Sequence, residues 1–96
     1  MTFSFHPMAK AELQDAVDYY EQQQAGLGLE FLEEMYATLQ RVLQFSTAWP
    51  QSSRRSRRCL ANRFPYSIIY QIRDSEILII AVMHQSRKPA YWADRL

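Results

Sequence analysis

The chain opens with Phe3 and Phe5 alternating with Thr2, Ser4 and His6, the period-two pattern of a short strand. Pro7 follows and suits the first turn of a helix, where its missing N–H costs nothing. Ala9, Leu13, Ala16, Val17 and Tyr20 then recur at spacings of three and four, one apolar stripe of a helix from Pro7 to Gln24. The acids Glu12, Asp15, Asp18 and Glu21 are expected beside or opposite that stripe. Gly26-Leu27-Gly28 breaks the pattern and turns the chain. Leu32, Met35, Tyr36, Leu39, Val42 and Leu43 form a second stripe, predicting a helix from Gly28 to Phe45 antiparallel to the first.

After Ser46–Ser53, a predicted loop containing Trp49-Pro50, the period falls to two. Arg54–Leu60 reads as a basic edge strand. Phe64–Ile72 reads as a strand with Tyr66, Ile68, Tyr70 and Ile72 on one face and Ser67, Ile69 and Gln71 on the other. Asp74-Ser75 supplies a hairpin turn. Glu76–Met83 is almost continuously apolar, as expected of an interior strand buried on both faces. Lys88–Leu96, with Pro89, Tyr91, Trp92 and Leu96, is expected to fold back as a short helix or turn. The predicted fold class is α+β, with the order β-α-α-β-β-β. The helical hairpin packs on one face of an antiparallel-dominated sheet, leaving the other face or the sheet's end for function.

Ninety-six residues, 48% of them hydrophobic, suit a single domain spanning 1–96. The longest apolar run, Ile77–Met83, is far shorter than the roughly 20 residues of a membrane helix. One cysteine, Cys59, and no basic-then-apolar leader are the pattern expected of a cytoplasmic protein. The net charge of +1 hides an asymmetry: residues 1–40 hold one lysine against seven acids, and residues 41–96 ten basic residues against three acids. Arg54, Arg55, Arg57 and Arg58 are dense enough to predict a binding surface for nucleic acid or for an acidic protein segment.

Several pieces, in their order, resemble the RelE/ParE superfamily of toxins from toxin–antitoxin systems. They are Ala9-Lys10-Ala11-Glu12-Leu13, Tyr19-Tyr20-Glu21, Gly26-Leu27-Gly28 before Phe31, and Trp49-Pro50. Further along come Arg63-Phe64-Pro65-Tyr66-Ser67-Ile68-Ile69-Tyr70, Ala81-Val82-Met83-His84, Arg87-Lys88-Pro89 and Tyr91-Trp92. The resemblance implies a bacterial growth inhibitor neutralised by a cognate antitoxin, with which it can form a heterotetramer.

Two mechanisms follow from it. ParE-like members inhibit DNA gyrase without chemistry of their own. RelE-like members cut messenger RNA on the ribosome without a metal. For RNA cleavage the candidates are Arg63, His84, Arg87 and Tyr91. Arginine is a permanent bidentate phosphate ligand, and the ordinary histidine pKa of about 6.5 suits proton transfer. Each also has a structural reading: Arg63 paired with a helix acid such as Glu34, His84 capping backbone groups, and Tyr91 and Trp92 closing the core. Arg54–Arg73 holds no acid to serve as a general base and no lysine. The run His84-Gln85-Ser86-Arg87 is similar to the end of ParE-like sequences, so the sequence leans that way. His6, Cys59 and His84 lack metal-ligand spacing, and neither a metal nor a cofactor is expected.

Overall fold

The computed structural model describes residues 1–96. The elements are β1 (Thr2–Phe5), α1 (Pro7–Gln23), α2 (Leu27–Gln44), β2 (Gln51–Ser53), β3 (Ser56–Leu60), β4 (Tyr66–Arg73), β5 (Glu76–His84) and a 3₁₀ turn at Ala93–Arg95. They build one five-stranded sheet in the order β1-β5-β4-β3-β2. β1 runs parallel to β5, and every other pairing is antiparallel. The expected β-α-α-β-β-β order holds, with one short strand added before the arginine-rich one.

That addition corrects two expectations. Part of the Ser46–Ser53 loop is strand β2, and Arg54–Leu60 is not the sheet's edge. Arg54 and Arg55 form the turn of a β2–β3 hairpin, and β2 lies outside β3.

The helical hairpin closes through two glycines. Gly26 sits at φ 88°, which residues with a Cβ adopt at a cost. A Cβ on Gly28 would lie 2.7 Å from the Val17 carbonyl oxygen, so only glycine lets α2 start this close to α1. The Glu21 carboxylate accepts the N–H groups of Gly26 and Gly28 at 3.0 and 3.1 Å. It thereby caps the positive end of α2.

The main core lies between the helices and the sheet. It joins Ala9 and Ala16 of α1 and Phe31, Met35, Leu39 and Val42 of α2 to Ile68, Tyr70, Ile77, Ile79 and Val82. A bulge in β5 sets this arrangement: Ile69 faces Ala81 and Tyr70 faces Ile79, so Ile80 has no partner. Ile77, Ile79 and Val82 therefore all point toward the helices, although an unbroken alternation would turn Val82 away. Ile80, Ala81 and Met83 point to the opposite face with Ile69, where buried Trp92 covers them. The C-terminal segment thus occupies part of the face expected to be free.

Candidate functional site

Beyond Phe5, β1 leaves the sheet to enter α1, and the outer edge of β5 is bare from Ile80 onward. Unpaired backbone groups there would be costly. Two side chains replace the missing strand. Glu12 accepts the Val82 N–H at 3.0 Å, and Arg95 donates to the Ile80 carbonyl at 3.1 Å. Glu12 reaches the sheet because it shares the inward face of α1 with Ala9 and Ala16, whose small side chains let the helix come close. It stands beside the apolar stripe, as expected, but turned to the sheet edge rather than to water.

Glu12 and Arg95 also meet each other as a fork, at 2.9 and 3.1 Å, with side chains only 14% and 9% exposed. The Tyr91 hydroxyl donates to the second Glu12 oxygen at 2.7 Å. The Tyr91 ring lies under the Arg87 guanidinium at 3.8 Å and near Arg95 at 5.1 Å. Burial, reinforced by the bond to the Glu12 carboxylate, pushes the Tyr91 phenol far up. Its proton is held at neutral pH.

Of the residues proposed for RNA chemistry, His84 and Arg87 come together. They line an open hollow of about 300 Å³ with Glu12, Asp15, Tyr19 and Tyr66. His84 faces the helices because of the bulge, and its ring stands edge-on to Tyr66 at 5.0 Å. Its Nδ1 accepts the Ser86 N–H at 3.0 Å, the backbone-capping role read from the sequence. Tyr91 adjoins this hollow through Arg87 but spends its hydroxyl on Glu12.

Arg63 is elsewhere. It follows β3 on the outer side of α2 and binds Glu30 at 2.8 Å. Glu34, the expected partner, instead accepts the Asn62 N–H at 2.8 Å. Glu30 and Glu34 lie one helical turn apart on one face, and Arg63 takes the nearer turn to the helix start. The ion pair raises the Arg63 pKa further still.

The four arginines of the hairpin separate as well. Arg57 donates to the carbonyls of Thr47 and Trp49 at 3.2 and 2.7 Å, bracing the loop after α2. Arg54, Arg55 and Arg58 are exposed. Arg54 and Arg55, with Arg57 and Tyr70, line a hollow of about 190 Å³ on the helix side of the hairpin. Arg58 points to the other face, beside Trp92 and Ile69. Tyr70 donates its hydroxyl to the Ser46 carbonyl at 2.6 Å, and burial raises its pKa to about 12.

A two-helix hairpin against one face of a small mixed sheet is the architecture of RelE/ParE-superfamily toxins. Over residues 3–89 the chain matches the family described as the ParE toxin of the type II toxin–antitoxin system parDE, and it belongs to that family. Its fold is similar to a solved structure described as a chromosomal ParDE toxin–antitoxin system from P. aeruginosa. The TM-score is 0.64 at 18% identity, over 88% of this chain and 95% of that one. No curated protein matches the chain by sequence. No helix is long and apolar enough to cross a membrane.

Proposed function

We propose that this toxin acts on DNA gyrase through protein contact, without chemistry of its own, and that a cognate antitoxin neutralises it in the cytoplasm, in a complex that can reach a heterotetramer. What supports the reading beyond family membership is the dispersal of the groups that RNA cleavage would need. Cleavage without a metal requires a base for the 2′-OH, cations at the phosphate and an acid for the leaving oxygen, all within hydrogen-bond reach of one substrate. Arg63 is committed to Glu30 on the outer side of α2. Tyr91 donates to Glu12, and its raised pKa makes it a poor acid. His84 and Arg87 share a hollow, and Tyr91 stands beside it with its hydroxyl turned away to Glu12.

The test is supercoiling of relaxed plasmid by purified gyrase at increasing toxin. Loss of supercoiling or accumulation of cleaved plasmid is expected. Unimpaired supercoiling at molar excess, with messenger cleavage in a reconstituted translation mixture, overturns the reading in favour of the ribosome.

A further inference from the structure

Residues 35–73 contain seven arginines and no acid. The fold finds internal partners for four of the seven. Arg41 donates to the Leu60 carbonyl and the Thr38 hydroxyl, Arg57 to Thr47 and Trp49, Arg63 to Glu30, and Arg73 to the Gln71 side chain. Arg54, Arg55 and Arg58 have neither a hydrogen-bond partner nor an ion-pair partner for their guanidinium groups. All three lie within five residues on one hairpin at the far edge of the sheet. They are permanent cations with fork-shaped donors, left unpaired where the fold has paired their neighbours.

The hairpin's composition narrows what they meet. Residues 51–58 read Gln-Ser-Ser-Arg-Arg-Ser-Arg-Arg, without one apolar side chain. An acidic amphipathic helix needs a continuous apolar strip to lie on; the apolar neighbours of these arginines are split, Ile72 at the hollow on one face and Trp92 beside Arg58 on the other. A phosphodiester backbone needs only cations and hydrogen-bond donors. Arg54 and Arg55 supply them around a hollow shared with Gln51, Ser56 and Tyr70. Arg57 is braced from behind, so the arm holds its shape without spending the three outer arginines.

We propose that the β2–β3 hairpin, with Arg54 and Arg55 at its turn and Arg58 on its other face, straddles and binds the phosphodiester backbone of duplex DNA without reading its sequence. The choice of DNA among nucleic acids rests on the gyrase reading, since gyrase holds a duplex. The toxin would then touch the enzyme's DNA as well as the enzyme.

The experiment is fluorescence anisotropy of a labelled 20-base-pair duplex titrated with the full-length protein, without gyrase. Three phosphate contacts predict a log–log salt slope of about −2.7, so affinity falls about 40-fold between 50 and 200 mM salt. Replacing all three arginines by alanine should abolish binding, and replacing them by lysine should keep both the binding and the slope. Arg63→Ala should leave the titration unchanged. Circular dichroism of each variant checks the fold. Absence of duplex binding by the wild type at 50 mM salt overturns the proposal, as does loss of binding in Arg63→Ala equal to that in the triple alanine variant. Equal or tighter binding to a polyglutamate peptide assigns the arm to an acidic protein and overturns it too. Tighter binding to an RNA hairpin of matched length overturns the DNA assignment.

The wild type is also taken into the supercoiling assay. DNA binding without gyrase inhibition leaves the inference standing and removes the gyrase reading. Inhibition by a wild type that does not bind DNA does the reverse.

Discussion

Two ion pairs of almost equal length hold two corners of this toxin. Glu30–Arg63 spans 2.8 Å on the outer side of α2, with side chains 46% and 59% exposed. Glu12–Arg95 spans 2.9 Å at the C-terminal corner, with side chains 14% and 9% exposed. Distance does not distinguish them; surroundings do. Around Glu30 and Arg63, water solvates both charges and screens their attraction. Around Glu12 and Arg95 most water is gone. There the carboxylate also takes a backbone N–H and a phenol, and the guanidinium also serves a backbone carbonyl. The first pair decorates a helix. The second completes a sheet edge and ties the last residues of the chain to the first helix.

The largest expected effect breaks the buried corner. Glu12→Ala leaves the Arg95 charge, the Tyr91 hydroxyl and the Val82 N–H without their acceptor. Removing one partner of a buried pair costs about 3–5 kcal/mol. The urea midpoint should fall accordingly, with the slope of the transition unchanged. Replacing both charges, Glu12→Leu with Arg95→Met, should recover part of that loss, because no charge is then stranded. It should not recover all, because the Val82 N–H and Ile80 carbonyl stay unpaired. A double variant less stable than Glu12→Ala would mean that the pair itself, and not its stranding, carries the corner.

A smaller effect comes from Tyr91→Phe, which deletes one hydrogen bond to a charged acceptor, about 1.5 kcal/mol. Its pH dependence sharpens the assignment. Tyr91 and Tyr70 both have pKa values raised by burial, Tyr70 to about 12. A raised tyrosine keeps its proton in the folded chain at a pH where the unfolded chain has lost it. Stability from these groups is therefore full below pH 10 and falls as the pH rises beyond it. For Tyr70 the fall ends near 12, while Tyr91 carries its own further. Urea titrations between pH 9 and 11.5 should show stability dropping in the wild type and dropping less steeply in Tyr91→Phe. Equal slopes would mean that Tyr91 ionises freely and is not held by Glu12.

The contrast between the two corners also marks what the sequence reveals. The helix stripes are visible because one face is wet and the other dry; in Tyr66–Ile72 both faces are buried, and the alternation shows only because Ser67 and Gln71 on the second face are polar. In Ile77–Met83 every residue is apolar, so the pattern carries no phase, and a bulge at Ile80 leaves no trace in it. Yet the bulge decides that Val82 and His84 face the helices. β2 is Gln-Ser-Ser, three polar residues with no alternation to detect. Glu12 did leave a signal: it stands three residues after Ala9 and four before Ala16, on the face where small residues let a helix approach a sheet. Its partner in Arg95 depends on how the tail returns, which no local pattern encodes. Arg63 was legible as a partner of α2 but not to the turn, since Glu30 and Glu34 share a face. The arginine run predicted a surface, yet only the fold separates Arg57, turned inward to brace a loop, from the three that stay free.

The smallest expected effect is at the exposed corner, and it bears on function as well as stability. Arg63→Ala removes the Glu30 pair but strands nothing, because water takes up the Glu30 carboxylate. Its urea midpoint should match that of the wild type within error. If the toxin works through contact with gyrase, growth arrest on induction and inhibition of supercoiling should also persist at wild-type doses. An arginine that clamps a scissile phosphate behaves differently: its loss leaves a folded protein that no longer arrests growth. Arg63→Ala with an unchanged midpoint and no toxicity would therefore pull Arg63 out of its pair with Glu30 during action. RNA cleavage would return with it as the reading to pursue.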